Sequence, residues 1–276
     1  MPFQYYEDVI EDLDLYKISK IILEGNADGR VLYIIRNAVD PAVCEKIKSN
    51  FYEIMRIKGN HRPDDGFVKT EQIGSSQFHK TGMEYINATL ESDADVLNLY
   101  QGMSDDVVRT LYMDKQLENF FSQEKISYRP SAFKSHNANF ATTRRWLDNG
   151  NMSLWPHDDS AQLKFAEQDG YEIAAAKNVI SSNLCVCDAA NGGELKVWNC
   201  RPDDNIRKEF DVLDTGYPYP LAFADSFESF TVRLKPGDLY FLNASYLHGV
   251  TSSVENERIS SGRFIGYIDN KVVWWT

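Results

Sequence analysis

The 276-residue sequence lacks any apolar run near the roughly 18 residues that a membrane-spanning helix requires, so none is expected. It is also short of positive charge: 29 Lys and Arg stand against 41 Asp and Glu, a formal net charge of -12. Nucleic-acid backbones and anionic membranes demand clustered cations, and no such cluster occurs, so binding to either is not expected. The four cysteines, Cys44, Cys185, Cys187 and Cys200, include no CxxC pair. Cys185 and Cys187 would share one face of a strand, and we read them as small buried hydrophobes rather than a redox pair. The opening MPFQYYEDVIEDLDLY has neither the basic nor the apolar region of a secretory signal, which points to the cytoplasm. What is present is a chain 43% apolar and 13% aromatic, long enough for one substantial core, with a small molecule as the expected partner.

Along the chain, GRVLYIIRNAV (29 to 39) has the β-branched and aromatic content of a strand. Asp40 before Pro41 then predicts a capped helix with Val43, Ile47, Phe51 and Ile54 on its apolar face. Residues 58 to 85 show no period and read as a long irregular segment, a candidate lid. Ser104 begins a second predicted helix carrying Val107, Val108, Leu111, Leu117 and Phe121. Beyond about residue 130, short apolar runs alternate with the turn signals DNG (148 to 150), NGG (191 to 193) and KPGD (235 to 238). Seven strands are predicted, at 138–147, 152–159, 178–187, 194–199, 229–234, 238–243 and 258–268, which suits a double-sheet jelly roll or sandwich.

The polar motifs lie in this second half. In WPHDDSAQ, strand alternation would put His157 and Asp159 on one face and turn Asp158 away. A charged turn on an acidic surface is the other reading of that motif. In LKPGDLYFLNASYLHGV, a strand without polar residues from Leu239 to Leu242 runs towards His248 at its rim. Two histidines and one carboxylate form a facial triad that leaves positions open for ligands and favours non-haem Fe(II). Arg258 and Ser260 then share a strand face, a fork and a hydroxyl suited to gripping a carboxylate, whereas Arg263 falls on the opposite face.

The order His157, Asp159, His248, Arg258, Ser260 resembles the Fe(II)- and 2-oxoglutarate-dependent oxygenases. CVCDAANGGELKVW (185 to 198) and the run into His248 resemble the same family, and residues 130 to 268 carry most of the likeness. The resemblance implies an α+β fold with a double-stranded β-helix core. It implies one domain over 1–276, with 1–128 as mainly helical support and lid and 129–276 as the jelly roll. It implies Fe(II) on His157, Asp159 and His248, with 2-oxoglutarate and dioxygen as co-substrates. Arg258 and Ser260 would hold the distal carboxylate of 2-oxoglutarate. Asn183 is a candidate contact to it, and Arg144, rather than its neighbour Arg145, a candidate contact to it or to a substrate carboxylate. His79 is the candidate substrate residue in the lid, while His61 and His136 read as structural or surface groups. Trp274 and Trp275 are expected to cover the core.

ATTRRWLDNGNMSLWPHDD most resembles the branch that acts on free small molecules without a carrier protein, halogenases included. Those halogenases have a small residue where this chain has Asp159, so the resemblance implies a hydroxylase. A zinc hydrolase using the same three residues is an alternative. So is a ligand-binding jelly roll without catalysis, in which His157 and His248 would lie apart.

Overall fold

A computed structural model of the protein describes residues 3–62, 66, 68–147, 152–254 and 258–276. The predicted DNG turn lies outside them. All seven predicted strands form, as Thr142–Trp146, Met152–His157, Ile180–Cys187, Leu195–Trp198, Ser229–Val232, Leu239–Asn243 and Arg258–Ile268. They divide between two sheets. The major, nine-stranded sheet runs in the order Tyr6–Val9, Leu32–Arg36, Leu239–Asn243, Ile180–Cys187, Arg258–Ile268, Lys271–Trp275, Ser127–Pro130; Thr142–Trp146 also pairs with Arg258–Ile268 and carries Thr70–Ile73 at its far side. The minor sheet runs Ser229–Val232, Leu195–Trp198, His248–Thr251, Met152–His157. This is the α+β, jelly-roll architecture expected.

Period-two alternation assigns each side chain to a layer. Tyr33, Ile35, Leu184, Phe241, Ile259 and Ile265 face outward, where helices Leu15–Glu24, Pro41–Lys58 and Asp114–Gln123 cover them with Ile18, Ile21, Ile47, Phe51, Leu117 and Phe121. Leu32, Ile34, Cys185, Tyr240 and Leu242 face the other way and pack on Leu195, Val197 and Val232 of the minor sheet. Each such apolar side chain contributes roughly 1.5–3 kcal/mol on burial. At Ser181, Asn183, Arg258 and Ser260 polar residues replace apolar ones on the inner face, and these line a cavity. Trp275 is fully buried, and Trp274 packs against the outer core.

Several local expectations need correction. Helix Pro41–Lys58 begins as predicted, with the Asp40 side chain accepting from the Ala42 N–H at 2.8 Å. The helix predicted from Ser104 instead divides into Asp105–Thr110 and Asp114–Gln123, with Met113 in the left-handed region at φ 60°. The break lets Asp114 turn inward to pair with buried Arg263. The irregular segment 58 to 85 contains strand Thr70–Ile73 and the start of helix Gly82–Asn98, which a Thr81/Glu84 capping box initiates. The first half therefore supplies strands to the major sheet as well as helices. Cys187 leaves the face of Cys185 and packs on the helix side, because a register shift opposite Ile259 and Ser260 interrupts the alternation. None of the four cysteines forms a disulfide. Among the described residues no helix is long and apolar enough to cross a membrane.

Candidate active site

His157 ends one minor-sheet strand and His248 begins the next, and the two are direct cross-strand partners. The strand that runs towards His248 stops at Asn243, as predicted, and the chain crosses to the other sheet before His248. Asp159 lies beyond its strand, in a turn. That turn is fixed from outside, because the Asp159 N–H donates to the Ala244 carbonyl at 2.8 Å and the Asp158 N–H to Gly216 at 3.0 Å. The segment that delivers His248 thus also anchors Asp159. One ligand atom from each of His157, Asp159 and His248 lies within 4.8 Å of the others. The Asp159 carboxylate is 3.2 Å from His248 Nε2 and 4.0 Å from His157 Nε2.

Both imidazoles are oriented by their own backbone. His157 Nδ1 meets the Trp155 carbonyl and His248 Nδ1 the Tyr246 carbonyl, each at 2.9 Å. A carbonyl only accepts, so each Nδ1 carries hydrogen and each Nε2 faces the common centre, where, once free of a proton, it can offer its lone pair to a metal. Burial, then the neighbouring His248, pushes His157 down to about 4. For His248 burial acts downward, but the Asp159 carboxylate outweighs it and raises the group. Burial would raise Asp159, yet the His248 hydrogen bond and the nearby positive charges hold it below the usual carboxylate range. Two buried imidazoles and one half-buried carboxylate converging on one centre form a donor set that suits a divalent ion.

Asp158 does turn away, as alternation predicts. It is 1% exposed and held from behind by Arg207 at 2.7 Å, the Tyr219 hydroxyl at 2.9 Å and the Ser160 hydroxyl at 2.6 Å. This buried cluster, with no signal in local sequence, braces the turn between the first two ligands.

An inner cavity beside the triad is walled by Arg144, Asn183, Tyr240, Arg258, Ser260 and Gly262, among others. Arg258, Ser260, Gly262 and Phe264 enter it at alternate positions of one strand. Arg258 is 4% exposed, its guanidinium lies 5.6 Å over the Trp146 ring, and its Nη1 has no hydrogen-bond partner among the described residues. A buried, unpaired guanidinium nitrogen is costly unless an anion completes it. Ser260 Oγ accepts from Trp146 Nε1 at 2.8 Å and keeps its own hydrogen to donate. Asn183 donates to Tyr240 Oη at 3.1 Å and to Ser181 Oγ. Its Oδ1 fills the space over its cross-strand partner Gly262, where an added Cβ would lie 1.6 Å away. These residues fit a dicarboxylate-sized anion lying beside the metal ligands.

Arg144 projects into the cavity and Arg145 away from it, towards Glu71 at 2.9 Å. Arg144 Nε donates to Gln72 at 2.8 Å, and burial, followed by the charge of Arg62, brings the guanidinium down to about 10, still cationic at neutral pH. Arg263 is committed elsewhere, buried on the outer face against Asp114 and the rings of Tyr112, Phe140 and Trp274.

An adjoining outer cavity shares Arg144, Trp146, His157 and Asp159 and adds Arg62, Phe78, Gln162 and Tyr217. His79 is not among the residues lining either cavity. It is exposed at φ 56° and stacks on Phe78 at 4.2 Å; Phe78 is the one that lines the wall. His61 pairs with Asp95 at 3.3 Å and His136 is exposed. Sequence reading missed Arg62, Phe78, Gln72, Trp146, Tyr217 and Tyr240. Only Trp146, at i+2 from Arg144, carried a usable alternation signal.

No family model matches the chain. Among curated proteins, the L-isoleucine 3(1)-dioxygenase of Pantoea ananatis (strain AJ13355) is 45% identical over 275 residues, 99% of this chain and 93% of that protein. Among solved structures, an N-substituted L-amino acid dioxygenase from Burkholderia ambifaria AMMD matches with a TM-score of 0.54 at 15% identity, covering 90% of this chain and 87% of that one. The epimerase SnoN, solved with Fe3+ and α-ketoglutarate, matches with a TM-score of 0.50 at 15% identity, covering 89% and 81%. The structural likenesses establish the fold, and the near full-length identity establishes the kinship. With its His157, Asp159 and His248 triad set between two jelly-roll sheets, the chain belongs to the Fe(II)- and 2-oxoglutarate-dependent oxygenases.

Proposed function

We propose that this dioxygenase hydroxylates an aliphatic carbon of a free amino acid, taken up without a carrier protein. The observation that carries this reading is the 45% identity, over 99% of the chain, to a relative named for L-isoleucine. The outer cavity supports it. Phe78, Phe264, Trp146, Leu154 and Val68 give it an apolar wall beside the triad, suited to a hydrocarbon side chain, while Arg62 and Arg144 give it charge. Bound Fe(II), with dioxygen and 2-oxoglutarate, supplies the oxidising power that breaks an unactivated C–H bond as 2-oxoglutarate becomes succinate and carbon dioxide.

The chain's own groups then do the positioning. His157, Asp159 and His248 would hold the ion on one side and leave the other for ligands. Arg258 and Ser260 would grip the distal carboxylate of 2-oxoglutarate, with Asn183 alongside. Arg144, lining both cavities, would face whichever carboxylate lies between them. Asp159 occupies the place a halide would need, which favours hydroxylation over halogenation. The apolar wall orients the target carbon and keeps water out.

The test is succinate release across a panel of free amino acids, with mass spectrometry of the products. A product heavier by one oxygen from an aliphatic amino acid is expected. Succinate release that no amino acid stimulates would overturn the reading.

A further inference from the structure

The outer cavity is polarised along its length, and the polarity says which way round a substrate sits. Its near end is formed by the triad residues His157 and Asp159 together with Leu154 and Phe264, all shared with the inner cavity. Its far end is formed by Arg62 and Ser76, which do not line the inner cavity but also line a third hollow, with His61, Lys80 and Ser75, on the side away from the triad. Arg62 thus stands where the outer cavity meets the next hollow. Its guanidinium lies 5.7 Å over the ring of Phe78, so a planar cation and an apolar wall are joined at that end. Among the described residues no carboxylate pairs with Arg144, the other cation of this cavity, whose Nε is hydrogen-bonded to the neutral amide of Gln72. Arg62 and Arg144 bring two guanidinium groups to this cavity, whose one acidic residue among those described is the triad's Asp159, and a guanidinium fork is suited to a carboxylate.

Building on the amino-acid reading above, we propose that Arg62 receives the substrate's α-carboxylate, so that the side chain points down the apolar wall and its far carbons meet the triad. Arg62 is therefore a specificity-determining residue: it requires a carboxylate at one end of the substrate and sets oxidation on the side chain rather than at the α-carbon. A guanidinium is suited to this because its fork matches a carboxylate with two parallel hydrogen bonds, which an ammonium does not reproduce.

The test compares the parent protein with Arg62→Gln and Arg62→Lys. Each is loaded with Fe(II) and 2-oxoglutarate without oxygen and titrated with L-isoleucine and with L-isoleucinamide by calorimetry. The loss of a charge-assisted pair corresponds to roughly ten- to a hundredfold weaker binding of L-isoleucine to Arg62→Gln, with Arg62→Lys in between. The preference for acid over amide, present in the parent, should disappear in Arg62→Gln while 2-oxoglutarate binding is retained. Undiminished binding of L-isoleucine by Arg62→Gln, or an undiminished preference for acid over amide, overturns the inference and leaves the amino-acid reading intact. A parent that binds no aliphatic amino acid overturns both.

Discussion

Replacing Arg258 by Met tests the co-substrate site, because the structure separates this arginine from its rival so cleanly. Arg258 is buried at 4% exposure on the inner face, with Nη1 unpartnered among the described residues, and Ser260 beside it retains a hydrogen to donate. A carboxylate placed there gains two charge-assisted hydrogen bonds from the fork, each contributing about 1.5–3 kcal/mol. Arg258→Met should therefore weaken 2-oxoglutarate by about 3–5 kcal/mol, roughly a hundred- to several-thousandfold. Arg258→Lys keeps the charge but loses the fork, and should fall between the two. The apo protein should lose little stability or gain some, since the substitution removes a buried charge that lacks a complete set of partners. Arg263→Met gives the opposite pattern. It breaks a buried pair with Asp114 and strips a cation from three aromatic rings. The cost of about 3–5 kcal/mol corresponds to a melting temperature lower by roughly 10 °C, without a change in 2-oxoglutarate affinity of the folded fraction. The assay is the 2-oxoglutarate KM from succinate release, with direct titration and thermal melting alongside. An unchanged KM in Arg258→Met, or a large KM effect confined to Arg263→Met, refutes the assignment.

Three further outcomes follow from the same geometry. Gly262→Ala sets a Cβ 1.6 Å from Asn183 Oδ1, so it should cost about 1–3 kcal/mol of stability and raise the 2-oxoglutarate KM. Adding Asn183→Ala should restore the stability, and a single variant that melts like the parent contradicts the close approach. Arg207→Met removes the brace behind Asp158; Fe(II) affinity should drop about 10- to 100-fold with little change in 2-oxoglutarate affinity at saturating iron, and equal loss of both would count against a bracing role. Fe(II) binding should also release a proton. His157, pushed down to about 4, is already neutral near pH 7, whereas Asp159 raises His248 and favours the proton that the metal must displace. Affinity should consequently weaken from about pH 8 to about pH 6, and a flat profile measured by anaerobic titration would contradict this.

The parts of the molecule legible in the sequence are those governed by short periods. Short apolar runs bounded by turn signals located all seven strands, and two-residue alternation put Arg258 and Ser260 on one face with Arg263 on the other. Asp40 and Pro41 announced their helix by cap chemistry that needs only neighbours. The triad was legible as spacing, yet not as geometry. Asp159 reaches the site from a turn anchored by Ala244 and Gly216, and His248 from a strand that starts anew in the opposite sheet. Such long-range backbone hydrogen bonds leave no local trace. The same holds for Arg207, which braces Asp158 across 49 residues of sequence. The outer cavity was least legible, because Arg62, Phe78 and Tyr217 come from non-repeating connections. Segment 58 to 85 reads as functional for its lack of period, but the chemistry of His79 points to the wrong residue in it: His79 is exposed, and the neighbouring ring of Phe78 lines the cavity.

The central claim is that His157, Asp159 and His248 share one Fe(II). Anaerobic Fe(II) titration of the parent against His157→Ala and His248→Ala, followed by succinate release, tests it most directly. One equivalent of iron bound by the parent, and neither tight iron binding nor succinate from either variant, is the result predicted here; retained binding and turnover in either variant would contradict it.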